Sequence, residues 1–203
     1  MSRRPAGPFV RLARWAACGL LGVAALPATA ATAVSEPSAL APRVSAGART
    51  SAADPAYDVL VFSRTAGFRH SSIDEGVTAL RELGAANNFT VTATEDPAAF
   101  TSSNLAGYEA VVFLSTTGDV LDPTQQTAFE GYMAAGGGYV GVHAAADTEY
   151  DWSWYAGLAG ALFQSHPAVQ PARIEVEDRA HDATAHLGPA WQRTDEWYNY
   201  RTN

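Results

Sequence analysis

Gly138-Tyr139-Val140-Gly141-Val142-His143-Ala144-Ala145-Ala146-Asp147 sets the architecture of this chain. It reads as a short apolar strand that ends in a sharp turn of small residues, with His143 at the turn. A polar side chain raised on such a turn after a buried strand is how α/β proteins present a reactive group. Gly136, Gly138 and Gly141 fit G-x-G-x-x-G by letter, but they precede and enter a strand, whereas the dinucleotide fingerprint follows a strand and opens a helix. They read instead as a helix end and as backbone clearance.

Upstream, the same kind of strand occurs twice more. Tyr57 to Ser63 and Glu109 to Ser115 are nearly continuous runs of β-branched and aromatic residues, as expected of strands buried on both faces. Phe89 to Thr94 alternates Thr with apolar residues and makes a fourth strand. Between them, Ser72-Ile73-Asp74-Glu75 has the letters of a capping box, and Ile73, Val77, Leu80 and Leu83 follow at helical spacing, with Gly84 placed to close the helix. Asp122-Pro123-Thr124-Gln125 opens another helix, with Phe129, Tyr132 and Met133 facing the sheet. Strands and helices in this order, joined by short loops, predict a parallel sheet with helices on both faces. If the aromatics from Trp152 to Tyr155 are packing residues, Leu158, Leu162 and Phe163 continue a helical face with them. Arg173 to Glu177 and Glu196 to Tyr200 are expected as strands nearer an edge or in an antiparallel extension.

The ends read differently. Arg3, Arg4, Arg11 and Arg14 precede the apolar run Trp15 to Leu26, and Ala28-Thr29-Ala30 is a small-x-small cleavage site. That is the pattern of a secretory signal peptide over residues 1–30, so the expected location is secreted or extracellular. Residues 31–55, rich in Ala, Ser and Pro, are expected as a disordered linker, and 56–203 as the folded domain. The single cysteine, Cys18, lies in the signal segment, which leaves the mature chain no disulfide, no cysteine nucleophile and no thiolate ligand. All 13 basic residues are arginines; without the four in the signal segment, nine face 21 acidic residues, a net charge of −12. That surface repels nucleic acid and anionic lipid, so neither is an expected partner, and no membrane association is expected once the signal is removed.

In open parallel sheets the ligand crevice lies beyond the carboxyl ends of the strands. That rule brings His70, in the loop after the first strand, and His143 to one rim. Histidine suits such a place because it exchanges a proton near neutral pH or ligates a metal when neutral. A ring merely hydrogen-bonded at a strand end is the plainer account of either residue alone; the pair favours a site. His166, held extended by Pro167, is a candidate for the same rim. Glu196 is a candidate general base, or a ligand if the histidines hold a divalent cation; a solvated acidic turn is the alternative. Trp152, Trp154 and Tyr155, with Trp197 and Tyr198, are either core packing or flat faces for sugar rings. His181 and His186 lie in a polar, turn-like stretch and read as surface.

Four ordered motifs carry a family resemblance: Phe62 to His70, Gly138 to Asp147, Phe163-Gln164-Ser165-His166-Pro167 and Thr194-Asp195-Glu196-Trp197-Tyr198. Together they resemble the ThuA-like (trehalose-utilisation) domain. The resemblance implies a class I glutamine amidotransferase-like, flavodoxin-like fold and a role in the use of disaccharides or their keto derivatives. It also implies that His143 occupies a nucleophile-elbow position where amidotransferases carry cysteine. A thioester cannot form there, so glutaminase chemistry is not expected. Family domains continue past the Asp-Glu-aromatic motif, so the domain is expected to be C-terminally truncated.

These readings predict an exported carbohydrate-acting protein with His143, His70 and Glu196 as proton-transfer or metal-ligand groups. Arg69, Asp147, Trp197 and His166 are the expected substrate-binding residues. A non-catalytic sugar-binding or interaction domain and a metal-dependent hydrolase are the alternatives. The metal, if one binds, is not specified by the residues.

Overall fold

The computed structural model describes residues 55–201; the expected signal peptide and nearly all of the expected linker lie outside them. Four parallel strands, β1 (Tyr57–Phe62), β2 (Phe89–Thr94), β3 (Ala110–Leu114) and β4 (Gly138–Val142), form one sheet in the order β2-β1-β3-β4. The order reverses between β1 and β3, as in flavodoxin-like sheets, and places a crevice at the carboxyl ends of those two strands.

The period of two within β1 and β3 explains the layers. Leu60, Phe62, Val111 and Phe113 point to one face and pack with Phe100, Phe129, Tyr132 and Tyr155. Val59, Val61, Val112 and Leu114 point to the other, where Val77 and Leu80 of α1 (Ile73–Asn87) cover them. The first of these faces is closed by α2 (Ser102–Leu105), α3 (Pro123–Ala134) and α4 (Ser153–Ala159). Helices therefore cover both faces, and the two inner strands are buried on each, which is why their sequences barely alternate in polarity.

The ends of α1 differ from expectation. Ser72 already has helical dihedrals and its side chain makes no cap, so the capping-box letters are not used. The helix also runs past Gly84 to Asn87 and is closed by Asn88 at φ 62°. Gly84 serves packing instead: a Cβ there would strike the carbonyl oxygen of Phe89, so its absence lets α1 lie close against β2. Leu83 is exposed and takes no part in the buried face. At α3 the expectation holds, with Asp122 accepting from the Thr124 and Gln125 amides and the Gln125 side chain accepting from the Asp122 amide.

Beyond α4 the chain builds two small antiparallel sheets. β5 (Phe163–Ser165) pairs with β8 (Asn199–Tyr200), and β6 (Gln170–Glu175) pairs with β7 (Ala190–Asp195). A short helix, α5 (Asp182–Ala185), lies between β6 and β7. Two expectations are corrected here. Phe163 belongs to a strand because Gly160, at φ 82°, ends α4 before the helical face can continue. Residues 196–198 link β7 to β8 and are not themselves strand. Among the described residues, no helix is long and apolar enough to cross a membrane.

Candidate functional site

The rim above the sheet is cross-braced through the loop after β3. Thr117 accepts at its carbonyl from the amides of Ala66 (2.7 Å) and Gly67 (3.3 Å), and its hydroxyl donates to the Phe68 carbonyl (2.9 Å). On the other side, the Gly118 amide donates to the Asp147 carbonyl (2.8 Å) and the Thr116 and Thr148 hydroxyls meet at 2.9 Å. The loop carrying His70 and the turn carrying His143 are thus held to one common brace. Buried Glu149 extends it, accepting from the amides of Val120 (2.9 Å) and Leu121 (2.8 Å) and from Gln126 (2.8 Å). Burial pushes the Glu149 carboxyl above the usual carboxylate range in spite of those donors, and the charge of Asp119 adds to the rise.

β4 ends at Val142, and His143 opens a 3₁₀ turn over His143–Asp147 with φ 50°. A left-handed backbone at a non-glycine residue between a strand and a helical turn is the geometry of an elbow, and it lifts the imidazole out of the sheet. The turn is anchored from below by Tyr155, whose hydroxyl donates to the Ala145 carbonyl (2.8 Å) and meets the Tyr139 hydroxyl (2.8 Å).

Three groups surround His143 Nε2. His70 Nε2 lies at 3.1 Å, the Tyr198 hydroxyl at 3.2 Å and Glu196 Oε2 at 3.4 Å. His166 Nε2 stands 4.0 Å from the other Glu196 oxygen, while its Nδ1 faces the Pro167 carbonyl at 2.8 Å. Donation to that carbonyl fixes the tautomer in which a neutral His166 keeps a lone pair on Nε2. Burial, followed by the neighbouring His143, lowers the pKa of His70 from its ordinary value, which favours the neutral ring. Its Nδ1 is buried with no partner among the described residues. Burial, with the nearby Glu196 carboxylate, raises the pKa of Tyr198, which keeps its hydroxyl a donor.

Glu196 and Tyr198 reach His143 because residues 196–198 are tied at both flanks. The Trp197 indole donates to the Gln170 carbonyl at the start of β6 (2.7 Å), and β8 returns the chain to β5. Beside the cluster opens a cleft of about 540 Å³ lined by Tyr139, Gly141, His143, Glu196, Trp197 and Tyr198 among others.

The structure therefore brings His70, His143, His166 and Glu196 together and puts Trp197 on the cleft wall. Asp147 is near enough for its charge to act on His70, but its carboxylate is engaged by the Tyr150 hydroxyl, whose oxygen also lies 3.1 Å from the Phe163 carbonyl. Arg69 is placed elsewhere: its guanidinium pairs with Glu95 (2.8 Å) and Asp74 (3.6 Å), two carboxylates at the β2 and α1 end of the rim. Trp152 and Tyr155 belong to the buried core, which removes them as sugar-stacking faces. Tyr198 as a direct partner of His143 was not read from the sequence. The signal was its position two residues after Glu196, since neighbours i and i+2 in an extended segment point the same way.

A parallel flavodoxin-like sheet thus ends, at β4, in a left-handed elbow that carries histidine. The chain belongs to the ThuA family, described as trehalose utilisation, whose sequence model matches residues 58–203. Two crystal structures share the fold. One is of a ThuA-like protein from Bacteroides uniformis ATCC 8492, with 24% identity, a TM-score of 0.64 and coverage of 76% of this chain and 65% of that one. The other is of a ThuA-like protein from Parabacteroides merdae ATCC 43184, with 18% identity, a TM-score of 0.61 and coverage of 72% and 64%. This chain thus spans a little under two thirds of the length of each. No curated protein sequence matches it.

Proposed function

We propose that the chain is exported and acts in carbohydrate utilisation on a disaccharide or keto-sugar, with His70, His143 and Glu196 as the reactive groups. Membership of the ThuA family supports the substrate class. The observation that carries the site is the convergence on His143 Nε2 of His70 at 3.1 Å, Tyr198 at 3.2 Å and Glu196 at 3.4 Å. In the metal-free site His143, which lines the cleft beside His70, can accept a proton from a sugar hydroxyl or from the carbon next to a keto group, and Glu196 stabilises the cation formed. Tyr198 donates to the oxygen on which charge develops. Trp197 offers an aromatic face on the cleft wall to the apolar side of a sugar ring. His143→Ala should abolish turnover of a sugar or keto-sugar while the fold is kept; unchanged turnover sinks the assignment. Export is tested by the mass of the protein recovered from the culture medium, which should lack residues 1–30.

A second reading, a non-catalytic sugar-binding domain, is favoured by the aromatic lining of the cleft, where Tyr139, Trp197, Tyr198 and Tyr200 all contribute. Calorimetric titration with a panel of glycosides, with product analysis on the same samples, separates the two. Binding without product selects the module.

A further inference from the structure

We infer that His70, His143 and Glu196 form a binding site for one divalent transition-metal ion of the zinc type, resting on the same reading of these residues as the reactive centre. Among the described residues, one ligand atom from each lies within 4.8 Å of the others. The spacing is more telling than the proximity. A tetrahedral zinc ion with bonds of about 2.0–2.2 Å sets its ligand atoms roughly 3.3–3.5 Å apart. His143 Nε2 stands 3.1 Å from His70 Nε2 and 3.4 Å from Glu196 Oε2, two edges of such a tetrahedron before any adjustment.

Hydrogen bonding alone accounts poorly for the arrangement. A ring nitrogen has one in-plane lone pair or one N–H. His143 Nε2 nevertheless faces His70, Tyr198 and Glu196 together, and can satisfy one of them well. A cation among the ligand atoms uses the lone pairs of both rings and the carboxylate charge at once. Two imidazoles with one carboxylate select the zinc, cobalt and nickel class over magnesium or calcium, which prefer oxygen. Tyr198, whose hydroxyl lies 3.2 Å from His143 Nε2, could donate to a water or a substrate oxygen at a fourth position. Three protein ligands and an open position is the plan of a catalytic site, not of a structural one.

The surroundings also set the strength. Histidine ligands are usually supported by an acceptor on the second ring nitrogen. His70 Nδ1 is buried and lacks such an acceptor among the described residues. Missing support of that kind weakens binding about 10–100-fold. A dissociation constant on the order of micromolar is therefore expected, weaker than for closed zinc sites.

The test uses the full chain, free of any histidine tag and stripped with a chelator. It is titrated with Zn²⁺ by calorimetry and with Co²⁺ by the visible absorption of the four-coordinate ion. One ion per chain is expected for the wild type and for His181→Ala/His186→Ala. His70→Ala and His143→Ala should each weaken binding more than about 100-fold, since a direct ligand counts for more than its support. Glu196→Gln, nearly isosteric, guards against loss through misfolding and should weaken binding at least about 10-fold with an unchanged circular dichroism spectrum. No saturable binding by the folded wild type, or one-to-one binding that survives in the His70/His143 double variant, overturns the site. Metal bound without any sugar affinity leaves this inference standing and removes the carbohydrate reading; sugar turnover with no metal does the reverse.

Discussion

Replacing His143 by glycine should leave a more stable protein than replacing it by alanine. Both changes remove the imidazole and its ring contacts with His70 and Tyr198, so the comparison isolates one methyl group at φ 50°. A Cβ in the left-handed region costs roughly 1–2 kcal/mol. Glycine loses more chain entropy on folding, which ordinarily favours alanine by about 0.4–1 kcal/mol. The difference leaves glycine ahead by about 0.5–1 kcal/mol, or roughly 1–4 °C in Tm for a domain of this size. Urea melts of the two variants at the same pH measure it, and equal m-values would show that the denatured states match. An alanine variant as stable as the glycine one, or more so, would show that the elbow carries no strain.

Three further outcomes follow from packing and charge. Gly84→Ala, which on an ordinary helix is stabilising, should here destabilise by about 1–3 kcal/mol, because the added carbon meets the Phe89 carbonyl; a rise in the urea midpoint refutes the close approach. Tyr155→Phe takes the hydroxyl donor from Ala145 and should cost about 1–3 kcal/mol in the same assay, with no change if that carbonyl finds another donor. Glu149 is expected to make stability depend on pH. Its folded pKa is raised by burial, so the folded state holds the proton more readily, and stability should fall as pH rises from the ordinary glutamate value through the raised one. Glu149→Gln should flatten that slope in chemical melts across pH; an unchanged slope assigns it to other groups.

The strands β1 and β3 were legible because burial on both faces leaves an unbroken apolar run, a signal that needs no partner to be seen. The Asp122 cap of α3 was legible because all its contacts lie within three residues. Gly84 was misread for the opposite reason: a glycine near a helix end suggests a cap, whereas its reason here is the approach of β2. Phe163 was assigned to a helix because nothing in a short aromatic segment says where it pairs, and its partner Tyr200 is 37 positions away. Arg69 was expected to face a substrate, yet its charge is drawn to Glu95 and Asp74. A long side chain takes its direction from the nearest opposite charge, and that is a tertiary fact.

What was settled by residue order alone is local or periodic: three apolar strands, a helix cap, a turn of small residues bearing His143, and the rule that loops after parallel strands share a rim. Those suffice to place two histidines on one edge. The centre itself needed the third dimension. Glu196 and Tyr198 arrive from a segment more than 50 residues past the elbow, held by two small sheets whose pairing is written in no local pattern. The left-handed turn at His143 is likewise imposed by the chain on either side of it, because an isolated histidine has no reason to adopt it.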